Sequence, residues 1–242
     1  RLRRAELLRK EWSFAADLLQ LLSGVFSIQQ EFYRAYLDPT LAVRTGPSGG
    51  LVYLDRIIAW TAQHGPHGLA DAARALKPTT FQERCAAVEA YLGHDPSVPL
   101  ANPTDFFWTV LVQPYEMSYS LDPRKPPEEP PGEAAATCPR CRHLPVVGVL
   151  REDKRAETVR RSLVCFYCFL EWDFPRVLCP SCKEEKPEKL PRYSAQEIPW
   201  MRVEACDTCG KYLKSVDLTL NWDADPVVDE LASTPLDVIA RE

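Results

Sequence analysis

Eight of the nine cysteines stand in C-x-x-C pairs, all in the second half of the chain. The four pairs are Cys138/Cys141, Cys165/Cys168, Cys179/Cys182 and Cys206/Cys209. A C-x-x-C turn brings two thiolates to one side of a tight loop, and two such turns can complete a tetrahedron around one metal ion. The spacing therefore predicts two metal ions, each in a four-cysteine site.

The cysteine pairs repeat with a period of 41 residues, from Cys138 to Cys179 and again from Cys165 to Cys206. Both units open with a C-P-x-C pair, and a strand-like segment, RRSLVC or MRVEAC, leads into the second pair. This internal duplication predicts sequential pairing, with the first and second pairs around one ion and the third and fourth around the other. The alternative is a cross-braced arrangement of the first pair with the third and the second with the fourth.

Other cysteine chemistries fit the pattern less well. A disulfide framework suits small secreted chains, whereas these cysteines are confined to one half of the chain and have the spacing of a ligand set. A thioredoxin-like redox centre needs one C-x-x-C near a βαβ pattern. Cysteine-only tetrahedra fit iron or zinc, and the sequence leaves that choice open.

Aromatic residues cluster around the second and third cysteine pairs. They are Phe166, Tyr167, Phe169, Trp172 and Phe174. We expect them to form the hydrophobic core that two small ribbons would otherwise lack. The alternative is that they shield the sulfur atoms from water and tune an iron site.

Catalytic patterns are sparse. The four histidines, His64, His67, His94 and His143, show no H-E-x-x-H spacing, and the chain has no glycine-rich phosphate loop. His143 is expected to be a solvated loop residue and not a ligand. Because two closed four-cysteine sites leave no open coordination position, we predict no catalytic residues and a protein that is not an enzyme.

The charge distribution argues against nucleic-acid binding. Residues 138–222 carry fifteen Lys/Arg and twelve Asp/Glu, and residues 223–242 carry one Arg and six acids. A divalent ion held by four thiolates leaves a charge of 2−, so the metal-loaded segment would lack the basic surface that phosphate requires. A zinc-ribbon nucleic-acid binder is therefore the third hypothesis for function.

The elements around the cysteines predict an α+β multidomain chain. It has an all-α domain at 1–121, a Pro/Glu-rich linker at 122–137, and two tandem rubredoxin-like or zinc-ribbon modules at 138–175 and 176–222. An acidic tail at 223–242 is expected to form a C-terminal helix. Its apolar residues need a surface to pack against, and they are Val227, Val228, Leu231, Leu236 and Ile239.

Several local features are predicted for the helical part. Gln29 lies on an apolar helical stripe and is expected to be a hydrogen-bonded core residue. Thr79 or Thr80 can cap the helix that carries Cys85, a cysteine expected to be buried as a small hydrophobe. Asn102 and Pro103 predict a helix start, and Pro114 predicts a kink or a break within that helix. The apolar N-terminal stretch is interpreted as an amphipathic helix and not a signal peptide, and no window is long enough to span a membrane.

The order CPRC, RRSLVCFYCFLEWDFPRVLCPSC, MRVEACDTCGKYLKSVD and DPVVDELASTPLDVIARE resembles the FdhE family of formate dehydrogenase accessory proteins. The resemblance implies a helical domain followed by rubredoxin-like metal modules. It also implies a cytoplasmic protein, used in maturation, that binds the catalytic subunit of formate dehydrogenase as a chaperone would. A redox-active donor of electrons or metal to that partner is the second hypothesis, and self-association stays open.

The resemblance carries over to individual residues. The eight paired cysteines match the metal ligands, and Trp172, Arg176, Arg202 and Glu204 match recurrent positions that we take as candidate partner-binding residues. Family pairs are often followed by glycine, whereas Arg142 and Lys183 occupy two of these positions and Gly210 keeps the glycine. A non-glycine residue in a left-handed turn costs about 1–2 kcal/mol.

Overall fold

The computed structural model describes residues 1–38, 47–96, 98, 101–120, 135–153 and 156–241. The chain divides into two compact units, Leu2–Pro126 and Pro127–Glu242. Most of the predicted linker, 122–137, lies outside the described residues. Within the described ranges, no helix is both long enough and apolar enough to cross a membrane.

The first unit is helical. Its helices are α1 (Leu2–Glu11), α2 (Ala16–Leu37), α3 (Leu51–His64), α4 (His67–Leu76), α5 (Phe81–Leu92) and α6 (Asp105–Ser120). A short 3₁₀ turn at Ser13–Ala15 separates α1 from α2, so the N-terminal stretch is two helices where a single amphipathic one was expected. The apolar stripe of α2 is buried and forms much of this unit's core.

Local sequence explains how α2, α3 and α5 form and pack. Thr80 accepts a hydrogen bond from the backbone N–H of Glu83, whose carboxylate accepts one from the backbone N–H of Thr80, so α5 starts with a capping box. The indole of Trp60 lies against Gly24, where a Cβ atom would stand 2.0 Å from the ring. The same indole donates to the carbonyl of Leu21 at 3.0 Å, which satisfies its N–H in the α2–α3 contact.

Gln29 is the buried, hydrogen-bonded glutamine that the stripe predicted. Its side-chain amide donates to the carbonyl of Val110 at 2.8 Å and to the side-chain oxygen of Gln113, also at 2.8 Å. Cys85, expected to be a buried small hydrophobe, is half-buried on α5.

Helix α6 differs from the prediction at its start. It begins at Asp105, because the Asn102 side chain accepts from Thr104 N–H in a turn that precedes the helix, and the predicted start at Pro103 was two residues early. The helix continues through Pro114, so the predicted break is absent, and the alternative of a kink stays a prediction.

The second unit contains one six-stranded sheet. The strands are β1 (Pro145–Asp153), β2 (Thr158–Cys165), β3 (Glu171–Asp173), β4 (Arg192–Ser194), β5 (Met201–Ala205) and β6 (Tyr212–Asp217). Their order is β3-β2-β1-β6-β5-β4, and all neighbours are antiparallel except β1 and β6. Each cysteine unit therefore contributes three strands. The first strand of the first unit, β1, pairs in parallel with the last strand of the second unit, β6.

Gly148 lies at this junction. It pairs with Ser215 across β1 and β6, and a Cβ atom at Gly148 would stand 2.2 Å from the Ser215 hydroxyl oxygen. The missing side chain therefore allows the two strands to approach. Two ribbons predicted as tandem modules thus share a continuous sheet.

The acidic tail is helical, as predicted, but it forms two short helices, α7 (Pro226–Ala232) and α8 (Thr234–Ile239). The chain turns at Ser233, and Pro235 lies in the first turn of α8, where proline is well tolerated. The buried Lys214 of β6 donates to the Glu230 carbonyl at 2.7 Å and to the Asp237 carboxylate at 2.8 Å. These contacts fix the tail on the sheet.

The apolar residues of the tail are buried in part. Val227, Val228 and Leu236 are buried against the sheet side of this unit, Leu231 is half-buried, and Ile239 is exposed. The expectation for Ile239 was wrong because α8 is only six residues long and turns one face to the sheet.

Candidate metal centres

The structure gathers the eight paired cysteines into two clusters. Cys138, Cys141, Cys165 and Cys168 form one, and Cys179, Cys182, Cys206 and Cys209 form the other, with all sulfur atoms of a cluster within 4.8 Å of one another. This is the sequential pairing that the 41-residue repeat predicted, and Cys138 and Cys179 fall in different clusters. Metal ligation by these residues stays a prediction.

The sulfur spacing fits a tetrahedral ion. Measured separations are 3.6 Å for Cys138–Cys168, 3.4 Å for Cys141–Cys165 and 3.8 Å for Cys179–Cys209. Four thiolates bound to one ion at 2.3 Å would be separated by roughly 3.8 Å. The donor set and the spacing therefore suit a zinc or an iron ion in each cluster.

Every cysteine pair has the same turn. In each, the N–H of the first cysteine donates to the carbonyl five residues later, at 2.8 to 3.0 Å. The residue after each second cysteine has a positive φ, and these residues are Arg142, Phe169, Lys183 and Gly210, with φ between 57° and 66°. The left-handed turn expected at Arg142 and Lys183 is thus present, and Phe169 shares it.

Gly210→Ala tests the cost of this turn. No atom stands within 4 Å of an added Cβ, so the substitution changes the backbone preference alone, and we expect a loss of about 1–2 kcal/mol in the free energy of unfolding. Faster metal release from the second cluster should accompany it. The matched control is Gly68→Ala on α4, where an added Cβ also meets nothing within 4 Å and alanine favours the helix. Equal effects of Gly210→Ala and Gly68→Ala on stability would contradict a left-handed turn at Gly210.

Burial distinguishes the clusters. In the first, Cys138, Cys165 and Cys168 are at most 1% exposed, whereas Cys182 of the second cluster is exposed. Burial raises the pKa of the Cys165 thiol, and its three sulfur neighbours raise it further. Metal binding must therefore displace protons there, so metal retention should weaken as the pH falls.

Metal exchange should follow this difference in burial. We expect a chromogenic chelator to remove metal in two phases, with the second cluster in the fast phase because solvent reaches the Cys182 sulfur. Absorbance of the chelator complex measures the release, and Cys209→Ser serves as the test variant. If the fast phase persists unchanged in Cys209→Ser, the second cluster is not its source and the prediction is wrong.

The aromatic residues surround the first cluster and the sheet. Tyr167, Phe169, Trp172 and Phe174 are buried, as expected of a core, and Phe166 is half-buried. His143 stacks on Tyr167 at 4.0 Å between ring centroids and is only 6% exposed. The prediction of a solvated loop histidine was therefore wrong, because the aromatic residues after Cys165 cover the ring.

A buried charge network joins the two halves of the sheet. Arg161 of β2 donates to the Glu204 carboxylate of β5 at 2.5 Å and to the carbonyls of Pro175 and Leu178. Burial alone would raise the pKa of Glu204, but the charges of Arg161 and Arg202 hold it below its ordinary value. The sequence analysis did not single out Arg161, although its position near the apolar run at 163–165 in RRSLVC is a usable signal.

The candidate partner-binding residues occupy different environments. Trp172 is buried and donates to the carbonyl of Ala135 at 3.0 Å. Arg202 pairs with Glu204 on the same strand at 2.7 Å. Arg176 is exposed, and its backbone carbonyl accepts from the Arg192 side chain at 3.1 Å. Trp172, Arg202 and Glu204 therefore have internal contacts, and Arg176 is the member of the set that faces solvent.

Comparisons with known proteins agree on one family. The family model described as FdhE, C-terminal domain, matches residues 177–242. A curated FdhE homologue from Pseudomonas aeruginosa is 35% identical over 46% of this chain and 37% of that protein. Another from Pectobacterium carotovorum is 30% identical over 69% of this chain and 53% of that protein. The chain spans about half the length, or less, of these curated relatives.

Comparison of the fold with solved structures also points to FdhE proteins. The crystal structure of the FdhE protein from Pseudomonas aeruginosa matches with a TM-score of 0.71 at 25% identity, covering 99% of this chain and 89% of that one. The chain is thus similar to FdhE proteins in its C-terminal residues 177–242 and in its fold, and it carries two four-cysteine clusters.

Proposed function

We propose that the chain is an accessory protein that binds the catalytic subunit of formate dehydrogenase in the cytoplasm and assists its maturation. The observation that carries the proposal is the pair of closed four-cysteine clusters on one shared sheet, in a chain similar to FdhE proteins. Each cluster supplies all four ligands of a tetrahedral ion, so the bound metal has no open position for a substrate. The metals thus act by shaping a recognition surface, and the protein is not an enzyme.

The recognition surface is proposed to include the exposed Arg176. Trp172, Arg202 and Glu204 support it from within, because their side chains already have internal partners. An exposed guanidinium can pair with a carboxylate or a carbonyl group of the client. Of the four candidate partner-binding residues, Arg176 is therefore proposed to contact the client, and the other three are proposed to hold the surface in place.

Co-purification tests the proposal. A tagged chain, co-expressed with the formate dehydrogenase catalytic subunit of the same genome, should retain that subunit. The Cys165→Ser variant should lose it, whereas Cys85→Ser, which leaves both clusters intact, should retain it. Failure of the metal-loaded parent chain to retain the subunit under anaerobic conditions would overturn the proposal.

A charge reversal locates the surface. Arg176→Glu should weaken client capture without a change in metal content, because Arg176 is exposed and lies outside both clusters. Lys186→Glu, an exposed residue of the same unit, serves as the control. Equal capture by the two variants at low and moderate salt would remove Arg176 from the surface.

A redox or metal-donating role is the second candidate, and the exposure of Cys182 favours it. An exposed ligand gives a partner access to the ion, since electron and metal transfer both need close approach. The absorption spectrum of anaerobically purified protein distinguishes the two roles. Sulfur-to-iron charge transfer would support the redox role, and a colourless zinc protein would support the recognition role.

A further inference from the structure

A cavity of about 310 Å³ opens in the sheet unit, between the segment that leads into β1 and the ends of β4, β5 and β6. Part of its wall is apolar and includes Leu144, Pro145, Leu178, Leu190 and Leu213. The charged residues of the wall are Arg161, Arg176, Arg192, Lys211 and Glu204. The cavity thus combines an apolar surface with four cationic side chains and one carboxylate.

The positive charge of the cavity exceeds its negative charge. Glu204 already accepts hydrogen bonds from Arg161 and Arg202, so it does not neutralise the other cations. Arg176, Arg192 and Lys211 are all exposed at the surface. Cys179 and Cys206 also line the cavity, and a divalent ion held by the second cluster leaves a charge of 2−. The balance stays positive, in a chain whose formal net charge is −5.

The shape and chemistry of the wall favour a peptide. A free inorganic anion would satisfy the cations but leave the leucine side chains in water. A volume near the lower end of ligand pockets suits a few side chains and not a folded domain. Arg192 also begins β4, which is an edge strand of the sheet, so an extended chain can continue along that edge from the cavity.

We propose that this cavity binds an extended acidic peptide segment. A carboxylate of the peptide lies beside Arg176, Arg192 and Lys211, and neighbouring apolar side chains cover the leucines. If the client enzyme supplies this segment, the inference deepens the proposed function. Peptide binding itself can be measured without the client.

Fluorescence anisotropy of the full, metal-loaded chain tests the proposal. The probe is a fluorescein-labelled hexapeptide composed of glutamate, leucine and glycine, compared with a version in which lysine replaces glutamate. The acidic peptide should bind about tenfold more tightly than the basic one. Equal binding of the two peptides would overturn the proposal.

Two charge reversals place the site. Arg192→Glu and Lys211→Glu should each weaken binding of the acidic peptide about tenfold, whereas Lys186→Glu, an exposed residue outside the cavity, should not change it. Melting temperature and metal content of each variant are measured alongside, so a misfolded variant is recognised. If correctly folded Arg192→Glu and Lys211→Glu bind the peptide as the parent does, the cavity is not the site.

Competitors distinguish other sources of negative charge. Sodium glutamate and inorganic phosphate should compete weakly, because neither covers the apolar wall. Displacement of the peptide by millimolar phosphate, or by a single-stranded oligonucleotide at the concentration of the peptide, would overturn the peptide assignment. Client capture without peptide binding would reject this inference alone, and peptide binding without client capture would reject the proposed function alone.

Discussion

Replacing Cys165 with serine is expected to abolish metal retention in the first cluster and to unfold the β1–β3 half of the sheet. The Cys165 sulfur is fully buried among three others, and a serine hydroxyl is a far weaker ligand for zinc or iron. The metal-binding energy of such sites is part of their folding energy, on the order of 10 kcal/mol for structural zinc. Metal content should fall from two ions per chain to one, with exposure of apolar surface around Trp172.

Elemental analysis and dye binding measure these two effects. Cys85→Ser is the matched control, because Cys85 is half-buried on α5 and belongs to neither cluster. It should keep both ions and the melting temperature of the parent. A Cys165→Ser variant with unchanged metal content and unchanged melting temperature would show that the first cluster is not organised by a metal.

Replacing Glu204 with glutamine is expected to have the second largest effect. The change keeps the shape of the side chain and removes the negative charge that faces Arg161, whose side chain is 2% exposed. An uncompensated buried charge costs about 3–5 kcal/mol. Because Arg161 lies on β2 and Glu204 on β5, the loss should reduce the stability of both halves of the sheet together.

Urea denaturation followed by circular dichroism measures this loss. Glu31→Gln is the control, since the Arg56–Glu31 pair is about half exposed on both sides and water screens its charges, so its loss should change the stability little. The double variant Arg161→Met with Glu204→Leu should recover part of the stability, because it removes both charges. A loss in Glu204→Gln no larger than that in Glu31→Gln would contradict the role of the buried network.

The metal clusters could be predicted from sequence because their geometry is local. Two thiolates three residues apart, with a repeat of 41 residues, leave few ways to complete a tetrahedron. The left-handed turn at Arg142, Lys183 and Gly210 could be predicted for the same reason, whereas the turn at Phe169 was not foreseen. Capping at Thr80 and the hydrogen-bonded Gln29 also depend on short sequence patterns.

The joining of the two halves depends on contacts distant in sequence. The parallel pairing of Gly148 with Ser215 spans 67 residues and has no local signature beyond a glycine in an apolar strand. The pairing of Arg161 with Glu204 follows from the same packing, whereas the burial of His143 depends on the rings of Phe166 and Tyr167 in its own unit. Sequence patterns predicted the cysteine clusters, but not which strand of one unit would meet which strand of the other.

Native mass spectrometry of the anaerobically purified chain tests the central claim most directly. The two clusters predict a folded chain that carries two metal ions, zinc or iron, and eight deprotonated cysteines. Acid treatment should remove both ions and leave a mass that corresponds to free thiols. A folded chain that carries no metal, with a mass lowered by the hydrogens lost to disulfide bonds, would contradict the claim.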